Sequence, residues 1–170
     1  MKIGILSDSH KKIDLMAEAI EYLKTLRCEI LIHAGDLEIV ENLELLKNSG
    51  LIYTSVFGNN DFNLVGYQND YKIHKEPYYF KIKENSFKLM HLPFYMNNDT
   101  NIIIYGHTHT FESKYENSTL IINPGEVCAR NKPLSECATL EISEKQYKIT
   151  YNFRAPSDTA WKQKEIIYDR

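Results

Sequence analysis

The feature that most constrains this chain is a repeated local pattern in which short apolar runs stop abruptly at Gly, Asp, Asn or His. Lys2–Ser7, Glu29–Ala34 and Leu51–Val56 are runs of this kind, with the length and branching of buried strands. Between the first two, Ile13, Met16, Ala19, Ile20 and Leu23 recur at helical spacing, with Asp14, Glu18 and Glu21 on the other face. Glu38–Asn48 reads as a second helix with Val40, Leu43 and Leu46 turned inward. Strand–helix–strand–helix–strand in this order implies right-handed crossovers and a parallel sheet.

The rest of the chain is richer in strands. Tyr71–Ile82 reads as a hairpin around Lys75-Glu76-Pro77, and Phe87–His91 and Asn101–Tyr105 as short apolar strands. Phe111–Tyr115 and Thr119–Ile122 flank a turn at Glu116-Asn117-Ser118. Tyr147, Ile149, Tyr151 and Phe153 alternate with polar residues, a half-buried strand expected to pair with Cys137–Ile142 across Ser143-Glu144-Lys145. The tail, 154–170, reads either as a short helix capped by Asp158 and carrying Trp161 and Ile166, or as a surface segment. No repeat or linker divides the sequence, so a single domain over 1–170 is expected, of mixed α/β class and layered as a sandwich.

The polar residues that end the runs form a chemical set. The first strand leads into Ser7-Asp8-Ser9-His10, the second into Ala34-Gly35-Asp36, and the third into Phe57-Gly58-Asn59-Asn60-Asp61. Later, Lys88-Leu89-Met90 leads into His91, and Ile103-Ile104-Tyr105 into Gly106-His107-Thr108-His109. In open α/β sheets ligands collect beyond the carboxyl ends of the strands. Five such ends would bring carboxylate, amide and imidazole groups to one place. Residues i and i+2 of an extended segment point to one side, so Asp8 with His10, and His107 with His109, can share a site.

Taken singly, each piece has a plainer explanation. Asp8, Ser9 or His10 would serve as a helix cap ahead of Ile13. Gly35-Asp36 and Gly58-Asn59-Asn60-Asp61 would serve as turns, and His91 as a satisfied strand histidine. It is the conjunction, each piece directly after an apolar run, that points to a metal site. Donors without thiolate suit Mn²⁺, Fe²⁺, Ni²⁺ or Zn²⁺.

Charge and composition narrow the function further. Lys and Arg total 20 against 23 Asp and Glu, a formal charge of −3 with no basic stripe, which argues against a long nucleic acid as partner. With 43% apolar and 25% charged residues, a packed core under a polar surface is expected. No apolar run approaches a membrane span and the N-terminal run is too short for a signal peptide. Cys28, Cys128 and Cys137 have no metal-type spacing and read as small buried thiols of a reducing compartment; a cytoplasmic protein is therefore expected. Cys128 follows the Gly125-Glu126 loop, which could bring it near the cleft without a role in the chemistry. His33 is assigned to interior packing or support of the site, and His74 to the surface. The Tyr-rich stretch from Tyr67 to Phe80 suits either self-association or packing on the domain.

The series Asp8-x-His10, Gly35-Asp36, Gly58-Asn59, His91 and Gly106-His107-x-His109 resembles the calcineurin-like metallophosphoesterases. In particular it is similar to the small YfcE-type phosphodiesterases, which share their fold with the retromer subunit vacuolar sorting protein 29. The resemblance runs from Lys2 through Ile122-Asn123-Pro124-Gly125 to the last strand. It implies a sandwich of two mixed β-sheets flanked by helices. It also implies two divalent ions, Mn²⁺ foremost. Asp8, His10, Asp36 and His109 would hold one, and Asp36, Asn59, His91 and His107 the other, with Asp36 bridging. The expected reaction is hydrolysis of a small phosphate ester, a diester first, by hydroxide shared between the ions.

Three departures from the family stand out. Asn60 occupies a position where many relatives carry a His that protonates the leaving group; an amide can hydrogen-bond phosphate or leaving group but cannot titrate. Leu92-Pro93-Phe94 follows His91 where relatives have a glycine. The interval from Leu92 to Tyr105 is short, implying a more open or a differently shaped cleft, with Phe94, Tyr95 and Met96 available either as an apolar wall or as core. Other functions compete: a protein-binding scaffold of the same fold, which would lose an imidazole ligand, a phosphomonoesterase or nucleotidase, and a nuclease, against which the charge balance counts. For the nuclease, Lys11 and Lys12, beside the first loop, would engage a phosphate or a short nucleotide; a solvated helix start is the plainer account.

Overall fold

The computed structural model describes residues 1–170. Strands β1 (Lys2–Leu6), β2 (Ile30–His33) and β3 (Ile52–Val56) alternate with helices α1 (Ile13–Thr25) and α2 (Val40–Asn48). They pair in parallel, with the two-residue β4 (Ile73–His74) parallel at the edge of β3. On the other side of β1 lie β10 (Ser135–Ile142), β11 (Gln146–Arg154) and β12 (Lys162–Asp169), all antiparallel, giving a seven-stranded sheet ordered β12-β11-β10-β1-β2-β3-β4. A second, five-stranded sheet has the order β5-β6-β7-β9-β8. Its strands are β5 (Tyr78–Ile82), β6 (Asn85–Leu89), β7 (Ile102–Ile104), β8 (Phe111–Glu116) and β9 (Thr119–Pro124). In it β6, β7 and β9 run parallel, while β5 and β8 are antiparallel edges. The chain is thus a two-sheet mixed sandwich.

Alternation in β1 sets the layers. Ile3 and Ile5 point between the sheets, where they meet Ile32, Val56, Phe87, Leu89, Ile104 and Ile122. Leu6 points the other way and packs with Met16, Leu23, Leu31 and Leu43 beneath the two helices. The apolar stripe of α1 anticipated from sequence is the one buried: Met16, Ala19, Ile20 and Leu23. Each fully buried Leu or Ile is worth about 1.5–3 kcal/mol relative to exposure. Both faces of the seven-stranded sheet are therefore strongly fixed.

Two segments differ from the sequence expectation. Tyr71–Ile82 is not a hairpin: β4 pairs with β3 in one sheet and β5 with β6 in the other. The turn between them carries the chain across the sandwich, and the Glu76 carboxylate accepts hydrogen bonds from His91 N at 2.5 Å and Leu92 N at 2.9 Å. The tail is neither a helix nor a loose surface segment. Asp158 sits in a turn closed by its N–H donating to Ala155 O, and β12 then pairs along β11 from Gln146↔Asp169 to Phe153↔Lys162. Trp161 is held by stacking on Tyr22 at 4.5 Å. Because β12 is an edge strand, its charged residues face water on both sides and only Ile166 and Tyr168 pack inward.

Candidate metal centre

Six parallel strand ends, those of β1, β2, β3, β6, β7 and β9, open on one side, and the loops that leave them are stitched together through the backbone. Asp8 N donates to Gly35 O at 3.0 Å, His10 N to Asp36 O at 2.9 Å, Gly106 N to His91 O at 3.2 Å, and Cys128 N to Asp8 O at 3.2 Å. The expected helix cap is absent: α1 starts at Ile13 after Lys12, without a side-chain cap, so Asp8, Ser9 and His10 are free for another task. Local conformation is costly here. Asp8, His10, Asp36, His107 and His109 all have left-handed φ, between 46° and 68°. Such backbone costs about 1 kcal/mol each at a non-glycine residue and collects at functional sites. The loops also approach too closely for extra atoms: a Cβ on Gly58 would overlap the Asp36 carboxylate and backbone nitrogen.

The side chains converge as a donor set. His109 Nε2 lies 3.2 Å from Asp8 Oδ1, and His91 Nε2 and His10 Nε2 lie 3.4 and 3.8 Å from Asp36 Oδ2. Asn59 Oδ1 is 3.0 Å from both His91 Nε2 and His107 Nδ1. The structure therefore brings together all seven groups singled out in the sequence. Asp8, His10, Asp36, His91 and His109 are buried, while Asn59 and His107 stand at the exposed rim. Asn60 differs from expectation. Its backbone N–H and its amide Nδ2 both donate to Asp36, at 2.9 and 2.7 Å, so it braces a carboxylate rather than standing free toward a substrate.

Several supporting residues escaped the sequence reading. His10 Nδ1 is 2.6 Å from Glu38 Oε1, His109 Nδ1 is 2.5 Å from Glu126 Oε2, and His91 Nδ1 donates to Ala34 O at 2.8 Å. Each of these rings is tied from behind, which fixes its tautomer and aims Nε2 into the site. Asp61, fully buried, accepts the backbone N–H groups of Asp36, Gly58 and Glu38 at 2.9, 2.7 and 2.6 Å. Asn42 ties down the first loop by donating to His10 O and Leu37 O. A signal for Glu126 was present: like the other site loops, it follows an apolar run, Leu120–Ile122, and a glycine. His33 is interior, with Nε2 on Ser9 Oγ at 3.1 Å, and burial lowers its pKa to about 3. His74 is half-buried and stacks on Tyr78 at 3.8 Å.

Electrostatics favour a cation at this place. Burial raises the Asp36 pKa, but hydrogen bonding to His91 and Asn60 overturns that and holds the carboxylate well below its usual range. Burial pushes Asp8 up, against the pull of His91 and Ser7. His91 is depressed by burial, yet Asp36 and Asp8 together raise it above its ordinary value. Asp8 Oδ1 is buried without a hydrogen-bond partner, and one ligand atom from each of Asp8, Asp36 and His91 falls within 4.8 Å of the others. Oxygen and imidazole donors so disposed fit a divalent ion of the first transition row. Beside them opens a cleft of about 890 Å³, lined by Lys11, Lys12, Arg130, Ile13 and Pro156, and bordered by the buried Cys128. Lys11 and Lys12 are exposed on its wall.

Comparison with known proteins agrees with this architecture. Residues 1–145 match the model of the calcineurin-like phosphoesterase superfamily domain. The chain is 29% identical over 164 residues to the phosphodiesterase MJ0936 of Methanocaldococcus jannaschii, covering 87% of this chain and 97% of that protein. Among solved structures it is similar to YfcE, a phosphoesterase from E. coli (TM-score 0.72, 18% identity, 96% and 98% of the two chains). It is equally similar in fold to Vps29 from Entamoeba histolytica in complex with Zn²⁺ (TM-score 0.70, 19% identity, 99% of each chain). No helix of the chain is long and apolar enough to cross a membrane. The strand-end site and the match over residues 1–145 lead to one conclusion: the chain belongs to the calcineurin-like phosphoesterase superfamily.

Proposed function

We propose that this chain is a metal-dependent phosphodiesterase acting on small phosphate esters. The observation that carries the reading is the orientation of three imidazoles. His10, His91 and His109 each have Nδ1 engaged behind them and Nε2 within 3.8 Å of an Asp8 or Asp36 oxygen. In this reading Asp8, His10, Asp36 and His109 hold one divalent ion and Asp36, Asn59, His91 and His107 a second, Mn²⁺ being the first ion to try. Such ions, when bound, polarise a phosphoryl oxygen and make water nucleophilic near neutral pH. The phosphodiesterase relative at 29% identity supports the choice of a diester.

The chain's own residues have distinct tasks. Asn60, through one hydrogen bond to each Asp36 oxygen, fixes the carboxylate with Oδ2 beside the His10 and His91 imidazoles. Glu38 and Glu126 hold His10 and His109 in register. Lys11, Lys12 and Arg130 face the cleft together with Asp14, Glu18 and Glu38. Lys11 pairs with Glu38 at 3.9 Å and Arg130 donates to His109 Nε2 at 3.0 Å, so Lys12 is the cation best placed to meet a phosphate, and Arg130 would have to leave His109 to do so. No side chain at the centre is placed as a strong general acid for the leaving group, which favours esters whose leaving groups depart without one.

The test is hydrolysis of bis(p-nitrophenyl) phosphate against p-nitrophenyl phosphate by chelator-treated protein, before and after Mn²⁺ is restored. The reading requires metal-dependent turnover, faster on the diester, and a loss in Asp36→Asn beyond the roughly 10–100-fold typical of residues that only orient ligands. Turnover that survives chelation would overturn it. A scaffold role draws on one observation: Phe62 and Val65, on the 3₁₀ segment Phe62–Tyr67 after Asp61, are 83% and 55% exposed. Tight metal binding with no turnover on any ester would favour that role.

A further inference from the structure

The donor set around Asp36 is built of oxygen and nitrogen, yet a thiol lies beside it. One nitrogen each of His10 and His109 and the Sγ of Cys128 fall within 4.8 Å of one another, and all three residues are buried. The two Nε2 atoms are 3.5 Å apart, and the Arg130 guanidinium, which donates to His109 Nε2 at 3.0 Å, withdraws when an ion enters. Bonds of about 2.0 Å to nitrogen and 2.3 Å to sulfur place neighbouring ligand atoms of a tetrahedral ion roughly 3.3–3.6 Å apart. From separations of up to 4.8 Å, a contraction of at most about 1.5 Å closes the group on one ion. A second observation points to the same spot: Asp8 Oδ1, fully buried and without a hydrogen bond, lies 3.2 Å from His109 Nε2.

Cys128 is also held where it stands. Its N–H donates to Asp8 O, and its Sγ contacts the same Glu126 oxygen that orients His109. The next residue, Ala129, takes a left-handed φ of 53°, a conformation with a cost that turns the chain sharply after the thiol. The other two cysteines belong to the helix-facing core: Cys28 and Cys137 pack with Leu23 and Leu31.

We propose that Cys128 is a thiolate ligand of the ion held by His10 and His109, making that position selective for thiophilic ions such as Zn²⁺ over Mn²⁺. The proposal rests on the metal-dependent reading above and refines it: one position carries sulfur, the other, at Asn59, His91 and His107, only oxygen and nitrogen. Coordination breaks the S–H bond, forms the sulfur–metal bond and releases the proton to solvent, with no change of oxidation state. Soft ligands select Zn²⁺ and related ions, whereas carboxylate and amide oxygen suit Mn²⁺.

The test is Co²⁺ substitution with metal content measured alongside. The wild-type protein should show a near-ultraviolet thiolate-to-cobalt charge-transfer band, lost in Cys128→Ser and retained in Cys28→Ser. In the Zn²⁺-loaded wild type, X-ray absorption should find a sulfur scatterer at about 2.3 Å, a readout that does not depend on the folding of any variant. Stoichiometric Co²⁺ or Zn²⁺ without the band or the sulfur shell overturns the role of Cys128 and leaves the phosphodiesterase reading standing. Failure to bind any divalent ion overturns both.

Discussion

Asp61 offers the sharpest test of how the loops are held. Its carboxylate is fully buried and accepts three backbone N–H groups: Asp36 and Gly58 on Oδ2, Glu38 on Oδ1. Asp61→Asn keeps the shape but can present an acceptor to one side only. The oxygen serves the two-donor side, and the amide NH₂ then faces Glu38 N, where the present separation is 2.6 Å. One hydrogen bond is lost, a donor meets a donor, and the other two bonds lose their charge assistance. A hydrogen bond to a charged group is worth about 1.5–3 kcal/mol, so a loss of about 2–3 kcal/mol is expected. Asp61→Ala strands all three donors; that of Asp36 is fully buried and the others partly so, giving about 2–5 kcal/mol. Urea unfolding followed by far-ultraviolet circular dichroism measures both, with an unchanged slope showing that two-state behaviour is kept. A loss under about 1 kcal/mol in the alanine variant would refute the idea that Asp61 clamps the site loops together.

Two further predictions follow from buried partners. Lys88 is fully buried; its Nζ donates to Tyr95 O, Asn97 O and Asn97 Oδ1 and pairs with Asp99, so it anchors the loop after His91. Lys88→Met should cost about 1–3 kcal/mol and expose residues 92–100 to limited proteolysis at native conditions; an unchanged cleavage rate would contradict that anchoring. Glu126→Gln should weaken divalent-ion binding by roughly 10–100-fold while leaving the fold intact, as read by isothermal calorimetry, and wild-type affinity would remove Glu126 from the support of His109.

What the sequence revealed and what it hid have different physical origins. Strands buried on both faces announce themselves as apolar runs, so β1, β2 and β3 and the residues just beyond them were legible from order alone. The crossing at 71–82 was not, because hairpin and sheet change both read as strand, turn, strand; only the partner strands decide. The edge strand β12 hid its alternation beneath Lys162, Lys164 and Glu165, which face water whichever side they take. Groups that act through another residue, Glu38, Asp61 and Glu126, were read as turn or helix-start residues because their partners lie far along the chain. The sequence points Asn60 toward phosphate or leaving group, but its hydrogen bonds go to Asp36 through a loop contact no local pattern encodes. Cys128 lacks metal-type spacing in sequence and gains its neighbours only through the fold.

In the proposed reading, groups from separate loops would hold two cations on either side of Asp36. Anomalous diffraction from wild-type crystals loaded with Mn²⁺ and Zn²⁺, collected at both metal edges, locates them. Two peaks are expected, both contacting the Asp36 carboxylate, one beside His10 and His109 carrying the zinc signal and the other beside His91 and His107. A fully loaded crystal with no peak at these imidazoles, or with Asp36 touching neither ion, would contradict that reading.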